Sequence, residues 1–195
     1  MNRIRRNLVA LMLAMGLMWM AAAAARADDY KSDPVHSNVV FRVHHFGAGY
    51  VCGTFIGPTG AISYDDADAT KDSFDLTVQA DSLDTRSDRR DQDLKGPDFF
   101  DVKQFPTLTF KSTSVTKTGD TTLHVTGDLT LHGVTKSITV DMDLTGTGTG
   151  MHGETRTGFE TAFTVDRRDY GLTYDPEPVI GNNVRITVGI EAIKQ

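Results

Sequence analysis

Apolar and polar residues alternate along most of this chain, and the alternation returns in short blocks from residue 39 to residue 192. Val39, Phe41, Val43 and His45 share one parity, while Asn38, Arg42 and His44 share the other. The same two-residue period recurs in Val51, Gly53 and Phe55, in Phe74, Leu76, Val78 and Ala80, and in Leu108 and Phe110. Leu123, Val125, Leu129 and Leu131 form another block, and Ile138, Val140, Met142 and Leu144 a sixth. Phe159, Thr161, Phe163 and Val165, then Val184, Ile186, Val188, Ile190 and Ala192, complete the series. Successive side chains of a strand point to opposite faces, so the pattern predicts eight strands, each apolar on one side. One-sided strands belong to antiparallel sheet. Without partner helices, their apolar faces must bury against each other, in a sandwich or a closed barrel. A closed eight-stranded barrel has an interior sized for side chains or one small ligand.

Four stretches depart from the alternation. Thr85 to Lys95 predicts a short polar helix between the third and fourth strands, capped by Thr85 and stopped by Gly96-Pro97. Phe99, Phe100 and Phe105 follow in a connecting segment, where they either plug one end of the core or line a mouth. Gly133 to Lys136 reads as a hairpin turn and Thr145 to Gly150 as a flexible hairpin loop.

The first 27 residues form a targeting signal. Arg3, Arg5 and Arg6 precede an uncharged apolar run from Leu8 to Met20, and Ala25-Arg26-Ala27 supplies the small-x-small cleavage pattern. That pattern favours cleavage after Ala27 over a retained anchor, and so predicts a periplasmic protein with no stable membrane insertion after cleavage. Residues 28–195 then make one domain with 16 basic and 26 acidic residues, a formal charge of −10. So acidic a surface disfavours nucleic acid and anionic head groups as partners. Cys52 is the only cysteine, so no internal disulfide can form, and its parity places it on the outer face.

Candidate chemistry is sparse. Gly148-Thr149-Gly150-Met151-His152-Gly153 spells a dinucleotide-binding pattern but lies between strands, without the following helix such a site requires, so no cofactor is expected. The six histidines show no metal-ligand spacing, and no metal site is expected. Arg89-Arg90-Asp91 and Asp166-Arg167-Arg168-Asp169 read as exposed ion pairs, with an anchor for an anionic head group as the alternative. His45 shares its face with Phe41 and Val43. It is either a hydrogen-bonded core histidine or a polar contact for a ligand head group. Catalysis on a lipid head group through His45, or a structural stress-response barrel with a filled core, are the competing functional readings.

A set of ordered blocks resembles the YceI-like family of lipid-binding, lipocalin-like proteins. They include His36-Ser37, His45-Phe46-Gly47, Asp81-Ser82-Leu83-Asp84-Thr85, Asp98-Phe99-Phe100-Asp101 and Gly127-Asp128-Leu129-Thr130-Leu131-His132-Gly133. Arg167-x-Asp169-Tyr170-Gly171 closes the series, and the resemblance spans essentially all of residues 28–195. It implies an eight-stranded antiparallel barrel that holds a polyisoprenoid or similar long-chain amphiphile, in a family with no established reaction; the chain is expected to be a carrier and not an enzyme, and a monomer or homodimer. The expected ligand-binding residues are the inward members of the strands with the loop aromatics. They are Val39, Phe41, Val43, His45, Val51 and Phe55; then Phe74, Leu76, Phe99, Phe100 and Phe110; then Leu129, Leu131, Val140 and Met142; and finally Phe159, Phe163, Ile186 and Val188.

Overall fold

The computed structural model describes residues 26–195, so all but the last two residues of the expected signal lie outside the described residues. Eleven strand segments alternate along the chain: β1 (Asp28–Ser32), β2 (Asn38–His45), β3 (Gly49–Ile56), β4 (Thr59–Tyr64), β5 (Ser73–Gln79) and β6 (Leu83–Asp84). After helix α1 (Asp88–Lys95) come β7 (Thr107–Lys117), β8 (Thr122–Leu131), β9 (Val134–Thr149), β10 (Thr155–Asp166) and β11 (Ile180–Lys194). No helix among the described residues is long and apolar enough to cross a membrane.

These eleven segments make eight strands, because the first three are bent. β1 and β2 are one strand broken at residues 33–37, β3 and β4 one broken at Gly57-Pro58, and β5 and β6 one broken at Ala80–Ser82. Each neighbour is antiparallel, and the ring closes where β11 pairs with β1 through Tyr30↔Lys194 and Ser32↔Ala192. Higher up, β11 pairs instead with β2, through Val184↔Val43 and Ile186↔Phe41. The last strand thus grips both arms of the first. Alternation alone locates only one arm of the first two strands, because β1 and β4 are short and mostly polar.

The inward parity holds along the ring. β8 alternates strictly between buried Leu123, Val125, Leu129 and Leu131 and more exposed neighbours. At the bend-poor end the interior is filled by a buried cluster that includes Tyr30, Ile62, Tyr64, Phe74, Phe159 and Ile190. At the other end a smaller cluster of Phe41, Phe55, Val78 and Leu83 receives Leu94 of α1 and Phe100. One end is therefore closed by side chains, and the other carries α1 and the long connections.

Three local expectations are corrected. The helix begins three residues later than expected, at Asp88 with Ser87 before it. Thr85 does not cap it. Its amide and hydroxyl both donate to Asp91 Oδ1, at 2.9 and 2.5 Å, which ties the helix back to β6. The β8–β9 turn is His132-Gly133, with φ of 49° and 73°, the two left-handed residues that a tight hairpin needs. The Gly-Thr run is not a loop but the end of β9, paired with β10 through Thr149↔Thr155.

Candidate functional site

The barrel encloses a cavity of about 870 Å³ that opens at the α1 end. Its wall is the inward parity of the strands. Val39, Phe41 and Val43 come from β2, Val51 and Phe55 from β3, and Leu76 from β5. Phe110, Leu129, Leu131, Val140 and Met142 come from β7, β8 and β9, and Phe163, Ile186 and Val188 from β10 and β11. The rings of Phe41 and Phe55 pack with centroids 5.7 Å apart. Gly53, paired with Phe41, makes this possible: a Cβ there would stand 2.3 Å from the Phe41 ring.

Two expected ligand contacts lie elsewhere. Phe74 and Phe159 do not line the cavity; both are fully buried in the cluster that closes the barrel. Phe159 meets Phe74 at 5.3 Å and Tyr64 at 5.5 Å, both edge to face. They point inward as expected, but at a depth where neighbouring rings fill the barrel. The three rings are the floor. Burial pushes the Tyr64 hydroxyl up to about 12, and it donates to Asp66 at 3.1 Å.

The mouth is built from α1 and two connections. Phe99 and Phe100 line it, Phe100 against Phe55 at 5.3 Å and Phe99 against Tyr174 at 5.1 Å. Phe105 turns away instead and packs edge to face on His132 at 4.4 Å. His45 also lines the cavity, but at its rim, where it is exposed and packs edge to face on Phe46 at 4.3 Å. It is the last residue of β2, where the wall ends, and its exposure rules out a core histidine. The adjacent His44 lines the rim as well.

Arg167 is the largest correction. It is buried rather than exposed, and it lines the cavity. Its Nε donates to the Gly181 carbonyl, Nη1 to those of Leu172 and Tyr174, and Nη2 to those of Asp175 and Ile180, at 2.5 to 3.2 Å. A guanidinium has five N–H donors, and all five are used on main-chain oxygens. Burial lowers its pKa, with Asp166 opposing that shift. The residue pins the 171–180 connection across the mouth. Arg168 forms the ion pair expected of the cluster, with Asp166. Arg90 likewise serves the fold: it donates to the Thr85 hydroxyl and carbonyl at 2.8 and 2.7 Å.

Several lining residues were absent from the sequence expectation. Val78, Leu108, Ile138 and Val184 carried the same alternation signal as their neighbours, so parity alone supports them. Leu94, Leu172 and Tyr174 had no local signal, since they come from a helix and a connection laid over the mouth. Below the cavity, Asp33, His36 and Glu191 bring one ligand-type atom each within 4.8 Å of the others. The cation among them is Arg156, which donates to Asp33 at 2.8 Å and to Glu191 and Glu154. This clasp holds the bend of the first strand to β10 and β11.

Comparison with known proteins agrees with this geometry. The sequence profile of the YceI-like domain matches residues 30–192. "Protein YceI" of Salmonella arizonae is 34% identical over 192 residues, covering 98% of this chain and all of that protein. Among solved structures, BcnA of Burkholderia cenocepacia superposes with a TM-score of 0.75 at 21% identity, covering 82% of this chain and 98% of that one. The YceI protein of Campylobacter jejuni gives 0.69 at 28% identity, over 74% and 85%. A polyisoprenoid-binding domain from Saccharophagus degradans gives 0.65 at 16% identity, over 85% and 98%.

Proposed function

Because the chain belongs to the YceI-like family and its barrel encloses an apolar cavity open at one end, we propose that it is an exported carrier of a polyisoprenoid or a similar long-chain amphiphile. The observation that carries this reading is the cavity. Its wall is almost entirely aliphatic and aromatic, while the polar groups gather at the rim. An empty apolar space forfeits dispersion contacts on every side. A hydrocarbon chain restores them, and each buried CH₂ contributes about 0.8 kcal/mol. The polar end of such a molecule belongs at the rim, beside His44, His45 and the face of α1 that carries Arg89 and Arg90. The polyisoprenoid-binding neighbour supports the same ligand class.

The reading is one of binding rather than turnover. The periplasm is the proposed location: cleavage after Ala27 releases a chain whose first strand starts at Asp28, so every strand of the barrel is retained. The test is mass spectrometry on an organic extract of the protein purified from an exporting host, with intact-mass measurement of the same sample. A co-purifying long-chain amphiphile and a mass starting at Asp28 are expected. A lipid-free extract from protein that also fails to take up an added isoprenoid overturns the carrier reading. A mass including residues 1–27 overturns export with cleavage.

A further inference from the structure

The cavity mouth is edged by a surface whose charges and aromatics the carrier reading leaves unexplained. Arg42 on β2 and Arg185 on β11 are direct cross-strand partners on the outer face, and both are exposed. Like charges placed opposite each other in a sheet destabilise it. The outward positions around them are Val40, Thr187, Thr164 and Cys52, none of them acidic. The nearest carboxylate along β10, Asp166, is already held by Arg168 at 3.0 and 2.5 Å. The Arg42 guanidinium instead lies 4.4 Å over the ring of Tyr50, itself 56% exposed.

Beside this pair, at the tip of the β2–β3 turn, Phe46 is 61% exposed. Its φ is 51°, a left-handed conformation in which a bulky aromatic residue is strained and Asn or Gly is not. The Phe46 amide donates to the Val179 carbonyl at 3.0 Å, so the tip abuts the connection that carries exposed Tyr174. The ring meets the likewise exposed His45 edge to face at 4.3 Å, a surface contact that offsets little of the backbone strain. Charge is also unevenly distributed. The closed half of the barrel (residues 28–33, 59–75, 111–124, 141–160 and 189–195) carries 14 acidic and 6 basic residues, whereas the remaining mouth half carries 12 and 10.

We propose that the rim formed by Arg42, Phe46, Tyr50, Tyr174 and Arg185 docks the barrel, mouth first, on an anionic phospholipid bilayer. The two arginines take lipid phosphates, which relieves their mutual repulsion. The aromatic side chains enter the interface between head groups and acyl chains. The closed half, net −8, is repelled by the same surface far more than the mouth half, net −2, so mouth-first approach is the less repelled one, and the unpaired arginines and aromatics at the rim supply the attraction. A lipid then passes between bilayer and cavity without crossing water. Docking does not depend on which amphiphile fills the cavity.

None of Arg42, Phe46 or Arg185 lines the cavity, so substitutions there separate docking from ligand binding. The test is co-sedimentation of the exported protein with phosphatidylcholine vesicles, with and without phosphatidylglycerol, at low salt. Wild type is expected to pellet with the anionic vesicles and to be released by added salt. Arg42→Gln with Arg185→Gln should weaken binding about thirtyfold, given roughly fivefold for each basic side chain near an anionic surface. Phe46→Asn should weaken it independently, and Arg42→Lys with Arg185→Lys should preserve it. Lys31→Gln with Lys111→Gln, at the closed half, should leave it unchanged. Lipid content in solution, measured on the same samples, should match wild type throughout, and the melting temperature should not fall; the Arg→Gln pair and Phe46→Asn, which remove repulsion and strain, should raise it slightly. Failure of wild type to pellet overturns the proposal, as does equal loss from the rim and closed-half pairs. A barrel that carries no lipid yet pellets through its arginines overturns the carrier reading alone.

Discussion

The ring of Phe159 meets that of Phe74 edge to face, with centroids 5.3 Å apart, and this pair floors the cavity rather than lining it. With Tyr64, which Phe159 also meets, the pair sets the depth of the cavity. Phe159→Ala should destabilise the barrel by about 3–5 kcal/mol, the usual cost of removing a buried aromatic ring. It should also extend the cavity toward Tyr64, so the folded variant should retain amphiphiles with longer chains. Urea titration checks the first effect and mass spectrometry of extracted lipid the second. An unchanged chain-length distribution in a destabilised variant would show that the floor does not limit the ligand.

Arg167→Met should release the 171–180 connection while leaving the strands paired. Five carbonyls lose their donor at once, and each buried unsatisfied group costs about 1–3 kcal/mol where water cannot reach it. Amide hydrogen exchange should accelerate across residues 171–181, with β8 and β9 protected as before. Arg167→Lys should not rescue it, because an ammonium has three donors and no planar fork.

His45→Ala should leave the melting temperature unchanged, because the ring is exposed at the rim. If the ring meets the ligand's polar end through one neutral hydrogen bond, affinity should fall by up to about tenfold. Titration of a fluorescent isoprenoid into both proteins reads this directly. Equal affinities would remove His45 from the binding site.

Two buried carboxylates should give opposite pH dependences. Burial pushes the Asp72 carboxyl up to about 6, although it accepts the Asp65 amide, and its second oxygen has no partner. A folded-state pKa above the unfolded one means that ionisation costs stability as pH rises from about 4. That cost is complete above the folded value. Asp72→Asn should therefore raise the urea midpoint at pH 8, with the gain shrinking toward pH 4.

Asp33 is the reverse case. Its hydrogen bonds to His36 and then to Arg156 hold its carboxyl well below the usual carboxylate range. Its stabilisation is present above the unfolded value and is lost only as pH falls below that range. Asp33→Asn should thus destabilise at pH 7 and lose its effect in strong acid. Urea midpoints measured across pH for both variants check the signs.

Residue by residue, the faces of the strands were legible before any fold was known. Phe41, Leu129, Val140 and Val188 point inward because side-chain parity is a local property of an extended backbone. Eight strands followed from the same period, and one short helix from its interruption between Thr85 and Lys95. His45 illustrates the limit: parity grouped it with Phe41 and Val43, but its exposure depended on lying at the last residue of β2, where the wall ends and His44 reaches the rim as well.

Depth along the barrel was decided only by the tertiary structure. Phe74 and Leu76 share a parity and a strand, yet one is floor and the other wall, because the stagger of neighbouring strands sets which rings meet. The bends in the first three strands, the closure of β11 on β1 and the burial of Arg167 are likewise non-local. Arg167 sits in a charged tetrapeptide that reads as surface, and only the folding of the 171–180 connection around it supplies the five carbonyls that make its burial tolerable. Local sequence determined which way each strand residue faces. The joining of segments far apart in the chain determined how far inside the barrel that residue lies, because depth is set by pairing register and not by the dihedral angles of any one strand.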